Sequence, residues 1–124
     1  MIFYAYKVLS LDLYSSSATG SSMRVDYSKG WAVAPVPKSG LLVFAHLDAA
    51  SKFCPGDCTI WQCACFGRVR LPARRLMVGC CEFAQARQLW GDDDWWLYLN
   101  YDDLCTWPDD TLAYQAVRIL ERVR

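Results

Sequence analysis

Short runs of apolar, aromatic and β-branched residues, each bounded by turn-forming residues, constrain the fold of this chain most. Residues 2–9, 41–45 and 59–69 have the composition of β-strands. Successive residues of a strand point to opposite faces. In 59–69 one face therefore carries Ile60, Gln62, Ala64 and Phe66, and the other carries Trp61, Cys63 and Cys65. These patterns predict a sheet with at least one long strand.

Weaker patterns add further short elements. Residues 23–27, 30–34 and 75–81 are predicted as short strands. Leu47, Ala50 and Phe53 recur at helical spacing, which predicts a short helix over about 47–53. A second short helix is expected over 82–90, whereas the apolar segment 95–100 fits a strand or a helix equally well.

The end of the sequence has the pattern of an amphipathic helix. Thr106 is a suitable N-cap, and Pro108 stands in the first turn, where its missing N–H is tolerated. From about 108 to 123, an apolar stripe repeats at helical spacing: Leu112, Ala116, Ile119 and Val123. The sequence therefore predicts an α+β fold, an antiparallel β-sheet with a short helix and a docked C-terminal α-helix, in one domain spanning 1–124.

The composition excludes several classes of protein. The 124 residues are 54% hydrophobic and 21% charged, which excludes an intrinsically disordered chain. No apolar run approaches the roughly 18 residues of a membrane helix, and the first residues do not resemble a signal peptide. Thirteen basic and 13 acidic residues give a net charge of zero, which argues against bulk binding to DNA or RNA. We expect a cytoplasmic protein that does not associate with membranes.

The charges are nevertheless segregated along the chain. Residues 68–87 contain five Arg and one Glu, whereas 92–110 contain seven Asp and no basic residue. Arg presents a planar fork of donors that fits phosphate or carboxylate. Two interpretations stay open: the two kinds of segment neutralise each other, or the arginines bind an anionic ligand.

The seven cysteines are expected to be reduced thiols that pack as small hydrophobic side chains. The alternative is a zinc site formed by two closely spaced pairs, which the spacing leaves open: Cys54, Cys58, Cys63 and Cys65.

The sequence contains no motif that is typical of an enzyme. We found no nucleophile elbow, phosphate-binding loop or dinucleotide fingerprint, and the one histidine, His46, lies between a strand and a helix. The run Asp92–Asp94 is read as a solvated loop and not as a metal site. We therefore expect no catalysis and no cofactor. An alternative is a degenerate ADP-ribosyltransferase-like or nucleotide-hydrolysing enzyme that uses His46 and an acidic residue.

Binding has more support. On a helix, Arg118 and Arg122 lie one turn apart and can clamp phosphates together, with Tyr114 beside them. Arg68 and Arg70 lie on the same face at the end of the long strand. Aromatic rings stack on nucleobases, and an amide such as that of Asn100 can read a base edge. These residue types suit a small anionic nucleotide.

Taken together, these features resemble a known family. The aromatic first strand with Tyr6-Lys7-Val8, the strand Gly40 to Phe44, and Trp90, Asn100, Arg118 and Arg122 in the last third resemble the phage-encoded Thoeris anti-defence sponge proteins of the first-described type. The resemblance implies a homo-oligomeric viral protein, dimer-based or hexameric, in the host bacterial cell. It implies that the protein sequesters cyclic ADP-ribose isomers without cleaving them.

The resemblance also assigns roles to residues. It implies that Trp90 stacks on the adenine and that Asn100 contacts the ligand in the same pocket. It further implies a separate site for cyclic oligonucleotides, formed by Arg118, Arg122 and either Arg68 or Arg70. A different class of function stays open, namely an inhibitor that blocks a host protein complex through the acidic segment 92–110.

Overall fold

The structure is a computed structural model that describes residues 1–14, 25–35, 39–71 and 107–124, and the backbone of 75–76 and 104–105. Within these residues it contains seven strands and one helix. In chain order the elements are β1 (Phe3–Leu9), β2 (Ala32–Val33), β3 (Leu41–Phe44), α1 (Leu47–Phe53), β4 (Thr59–Val69), β5 (Arg75–Leu76), β6 (Leu104–Cys105) and β7 (Thr111–Arg122).

Five of the strands form a small closed barrel. They pair in the order β2-β7-β3-β1-β4, and a further pairing of β7 with β4 closes the sheet on itself. Every pairing is antiparallel. The closure depends on the length of β7, whose 12 residues pair with β3 and then β2 along one edge and with β4 along the other. The short strands β5 and β6 pair separately with each other.

The predicted C-terminal helix is wrong, because the segment forms the closing strand β7. Thr111, Val117 and Ile119 are β-branched, and pairing on both edges satisfies the backbone groups that a helix would satisfy internally. Thr106, the predicted N-cap, lies outside the described residues, and Asp109 and Asp110, expected in the first turn of the helix, form a turn before β7. The Thr111 hydroxyl and backbone N–H both donate to the Pro108 carbonyl, at 2.6 and 3.3 Å, and Asp110 has a φ of 61°.

The longer predicted strands and the first predicted helix are confirmed, whereas the shorter predicted strands appear only in part. Strands appear within 2–9, 41–45 and 59–69, and the helix spans 47–53. The predicted strands 30–34 and 75–81 contain the two-residue β2 and β5, and within 23–27 Asp26 forms an isolated bridge with Tyr14. The predictions for 82–90 and 95–100 lie outside the described residues. The antiparallel sheet and the short helix are thus observed.

The barrel encloses the larger hydrophobic core. Leu9, Val43, Cys63 and Val117 are among its completely buried residues. Tyr114 and Val117, three residues apart, both belong to this core, so β7 changes its inward face between them. The change occurs opposite Gly67, which has a φ of +75° and lies so close to β7 that a Cβ there would come within 2.7 Å of the Gln115 side chain.

A second, smaller core lies outside the barrel, under α1. Ala49 and Ala50 of the helix pack on Val8, Phe44 and Ile60, whose side chains leave the outer face of the sheet. The Phe44 and Phe53 rings, 5.2 Å apart between centroids, extend this contact. The helix therefore covers one end of the outer face, and the other end of β1 and β4 carries exposed side chains.

Candidate functional site

A bulge in β7 determines where its arginines lie. Arg118 pairs opposite Ala64 of β4, whereas Arg122 pairs opposite Trp61. The five residues Arg118–Arg122 of β7 thus face four of β4, because the register shifts between Gln62 and Cys63 and leaves Leu120 unpaired. Ala64 and Trp61 are an odd number of positions apart, so their partners Arg118 and Arg122 lie on opposite faces of the sheet. The structure does not bring these two arginines together as a clamp.

Arg68 and Tyr114, by contrast, are neighbours. They are register partners on β4 and β7, and the Arg68 guanidinium lies 5.9 Å from the centroid of the Tyr114 ring. The Tyr114 ring is buried and packs 6.1 Å from the ring of Phe3. Tyr114 is therefore part of the core, and its ring is not presented as a plate for stacking. Arg70 follows β4 and is exposed.

An exposed surface on the outer face of the barrel combines aromatic rings with Arg118. In one cross-strand row, Tyr4, Ala64 and Arg118 stand side by side on β1, β4 and β7. In the next row, Phe66 of β4 stands beside Ala116 of β7. We call Tyr4, Phe66 and Arg118, with the two alanines between them, the aromatic–arginine surface.

The residues between the two rings and the arginine are small. Ala64 is buried and Ala116 half-buried, while Tyr4 and Phe66 are 66% and 48% exposed and Arg118 is also exposed. Val33 of β2, opposite Ala116, adds an exposed apolar side chain at the far side. Because neighbouring strands are about 4.8 Å apart, Tyr4 and Arg118 start about 10 Å from each other. A ring and a guanidinium at this separation can contact the base and the phosphate of one nucleotide.

The sequence pattern contained part of this surface. The alternation in 59–69 correctly placed Ile60, Gln62, Ala64 and Phe66 on one face, and that face is the outer one, where α1 covers Ile60 and leaves Phe66 exposed. Tyr4 was missed as a candidate, although it alternates with the buried Ala5 in β1. The exposure of both rings depends on how far α1 extends over the sheet, which the pattern does not encode.

The inside of the barrel holds a buried lysine to which the sequence pattern assigned no role. Lys7 is 8% exposed, and its ammonium donates to the Leu42 carbonyl at 2.6 Å. Its Nζ also lies 5.0 Å from the centroid of the Tyr27 ring. Burial lowers the pKa of Lys7 from 10.5 to about 8, although the sulfurs of Cys63 and Cys65 act in the opposite direction. The sequence signal that points to Lys7 is its position in β1, where it shares the inward face with Ala5 and Leu9.

The four cysteines whose side chains the structure describes fall into two kinds. Cys63 and Cys65 are free and completely buried, as expected, with their sulfurs 3.7 Å apart. Their contact raises the pKa of the Cys63 thiol, which burial raises further, and it lowers the pKa of the Cys65 thiol. Cys54 and Cys58 form a disulfide, so the expectation of reduced thiols is wrong for this pair. In the described residues no three His, Cys, Asp or Glu side chains gather as metal ligands.

His46 has an acidic partner. Its Nδ1 lies 3.2 Å from Oδ2 of Asp110, and both side chains are exposed. The Ala45 N–H donates to the Asp110 carbonyl at 2.9 Å, which fixes the two segments against each other. Such a pair can orient an imidazole and leave Nε2 to the solvent.

Two of the candidate residues, Trp90 and Asn100, lie outside the described residues. Nothing in the structure tests the roles that the resemblance implies for them. In the part of the chain that is described, no helix has the length and apolar composition needed to cross a membrane.

The fold and the surface define a small, mostly antiparallel β-barrel with an exposed aromatic–arginine face. Compared with protein-family models, with curated proteins and with solved structures, the chain matches none.

Proposed function

We propose that this protein binds small anionic nucleotides on its aromatic–arginine surface and holds them without cleaving them. The observation that carries the proposal is the cross-strand row of Tyr4, Ala64 and Arg118, which places an exposed ring and an exposed guanidinium on either side of a small residue. Stacking of a base on a ring contributes about 1–3 kcal/mol. A guanidinium adds a charge-assisted, two-pronged contact with phosphate.

The resemblance of the sequence supports a particular ligand class, the cyclic ADP-ribose isomers of the Thoeris system. In this proposal the protein is a viral anti-defence sponge in the host cytoplasm, which assembles as a homo-oligomer and withholds the signal from its effector. Trp90 and Asn100 are proposed to complete the contact with the adenine. Cyclic oligonucleotides share the base-and-phosphate chemistry and are the second ligand class to test.

The arginine roles are revised in this proposal. Arg118 belongs to the aromatic–arginine surface, whereas Arg122 faces the other side of the sheet and Arg68 lies over the buried Tyr114. These arginines do not form one site within a single chain. A second, arginine-lined site formed within one protomer is therefore not part of the proposal.

The test is a depletion assay with purified protein. The protein is mixed with cyclic ADP-ribose isomers and cyclic oligonucleotides, filtered, heat-denatured and analysed by chromatography. We expect one ligand to be depleted from the filtrate and recovered intact after heating. A ligand recovered in altered form indicates an enzyme. If no ligand is depleted, the proposal is wrong and the acidic segment 92–110 becomes the region to test for protein binding.

Variants locate the site. Arg118→Ala and Tyr4→Leu are each expected to weaken binding about tenfold or more, equivalent to about 1.4 kcal/mol. Arg122→Ala is the matched control, since it removes the same charge from the same strand on the opposite face. Equal losses for Arg118→Ala and Arg122→Ala would contradict the placement of the site.

The contact between His46 and Asp110 favours a second candidate function, a nucleotide-processing enzyme in which His46 is the general base. This candidate predicts conversion of a nucleotide by catalytic amounts of protein. His46→Gln should abolish the conversion, and Asp110→Asn should reduce it. Conversion that survives His46→Gln would eliminate this candidate.

A further inference from the structure

The disulfide between Cys54 and Cys58 lies at a junction of three segments. Cys54 is the C-cap of α1, and its N–H donates to the Ala50 carbonyl at 3.2 Å. Cys58 immediately precedes β4, and between the two cysteines lies the exposed tip Pro55–Asp57. The third segment is the one that follows β7, and it reaches the tip through Arg124.

Backbone and side-chain bonds hold this third segment in place. The Val123 and Arg124 N–H groups donate to the Ile60 carbonyl at 2.8 and 3.2 Å, and the Ile60 N–H donates to the Arg124 carbonyl at 3.0 Å. The Arg124 guanidinium then donates to the carbonyl of Gly56 in the tip, also at 3.0 Å. Only this last contact depends on the conformation of the tip.

The disulfide packs against the edge of the small core under α1 and is less buried than the Cys63 and Cys65 thiols. Cys54 and Cys58 are half-buried beside an exposed tip, whereas Cys63 and Cys65 are completely buried in the barrel. Arg124 brings a positive charge to the tip, which favours thiolate chemistry, and the exposed Asp57 brings a negative charge to it. An incoming thiolate can therefore reach the disulfide without opening the barrel.

We expect the barrel to fold without the disulfide. The closed loop is only five residues long, and the chain-entropy contribution of a disulfide falls as its loop becomes shorter. Ala49 and Ala50 pack on Val8, Phe44 and Ile60, and these contacts do not involve the disulfide. Reduction is thus expected to loosen the end of α1 and the tip and to leave the barrel folded.

From this arrangement we propose that Cys54 and Cys58 form a reversible thiol–disulfide site, whose substrates are low-molecular-mass thiols and whose oxidised form fixes the tip between α1 and the segment after β7. A thiolate attacks one sulfur, forms a mixed disulfide and releases the other cysteine as a thiolate, which takes a proton from water. A second thiolate attacks the mixed disulfide and releases the remaining cysteine. In total, two thiols become one disulfide while the protein disulfide becomes two thiols.

The test uses the full chain in glutathione buffers from fully oxidised to fully reduced. Thiols are alkylated and quantified at each cysteine by mass spectrometry, and circular dichroism reports the fold. We expect Cys54 and Cys58 to become alkylated together while the spectrum and the protection of Cys63 and Cys65 stay unchanged. Reduction that occurs only together with unfolding would overturn the proposal, because the disulfide would then be purely structural.

A second readout measures the fixed tip. Lys52 is exposed in the last turn of α1, and trypsin cleavage after it requires the end of the helix to open. We expect reduction to raise this cleavage rate about tenfold. Lys29 lies well before α1 in the chain and is already exposed, so the rate of cleavage after it is expected to be the same in every buffer. The double variant Cys54→Ser/Cys58→Ser should be cleaved fast at Lys52 in every buffer. A rate at Lys52 that does not respond to glutathione would also overturn the proposal.

Discussion

Replacing the buried Lys7 by Met tests how the barrel accommodates a charge in its interior. The substitution keeps the length of the side chain and removes the ammonium that donates to the Leu42 carbonyl. The absolute change in stability combines lost hydrogen bonding with relief from burying a charge, so its sign at one pH is not diagnostic. The way this difference in stability changes with pH is diagnostic, because Lys7 titrates in the wild type and is absent from the variant.

The magnitude follows from the two pKa values of Lys7. The unfolded chain binds the proton with a pKa of 10.5 and the folded protein with a pKa of about 8, and this gap is worth about 3 kcal/mol. Between these values the unfolded state binds more protons, so the free energy of unfolding rises with pH. Below pH 8 the full penalty applies, and above pH 10.5 it disappears. Between pH 7.5 and 10 the change amounts to about 2 kcal/mol.

The assay is urea unfolding of the wild type, Lys7→Met and Lys29→Met at pH 7.5, 8.5 and 10, without reductant. We expect the free energy of unfolding of the wild type to increase relative to Lys7→Met by about 2 kcal/mol over this range. Lys29, with 85% of its side chain exposed, is the control, and its removal should leave the pH profile unchanged. Parallel profiles for the wild type and Lys7→Met would refute the reasoning, because they would mean that Lys7 ionises as easily in the barrel as in water.

Three further predictions concern packing and local charge. Gly67→Ala should lower the free energy of unfolding by about 1–3 kcal/mol, since its φ is positive and a Cβ there would press against the Gln115 side chain. Gly56→Ala, with no atom near its Cβ position, should be nearly neutral in the same denaturation assay. Ile60→Ala should cost about 2–5 kcal/mol, because it leaves a cavity between α1 and the sheet, and a smaller loss would show that the helix collapses onto the gap. Hydrogen bonds from Ser28 lower the pKa of Asp26. The stability that the ionised Asp26 contributes should therefore be lost as the pH falls below about 4. Asp26→Asn should remove this dependence of the free energy of unfolding on acid pH.

The candidate surface could be predicted only in part from the sequence. The alternation around Ala64 and Phe66 identified which residues share a face, because side chains alternate along any regular strand. The exposure of Phe66 depends on where α1 stops covering the sheet, and Trp90 and Asn100 lie outside the described residues. Arg118 and Arg122 were expected to lie side by side because they are four residues apart. They lie on opposite faces of the sheet because Leu120, between them, is unpaired.

Local sequence determined the elements whose patterns are complete within themselves. The strands in 2–9, 41–45 and 59–69 and the helix over 47–53 follow from β-branched composition, alternation and helical spacing, which act between residues a few positions apart. Only the tertiary structure decided that Thr111–Arg122 is a strand. The apolar residues of this segment can be buried either as one stripe of a helix or in a strand that is paired on both edges. Only the closed barrel also placed Lys7 beside Cys63 and Cys65. These outcomes depend on contacts between segments far apart in the chain, and no local pattern contains the register that brings such segments together.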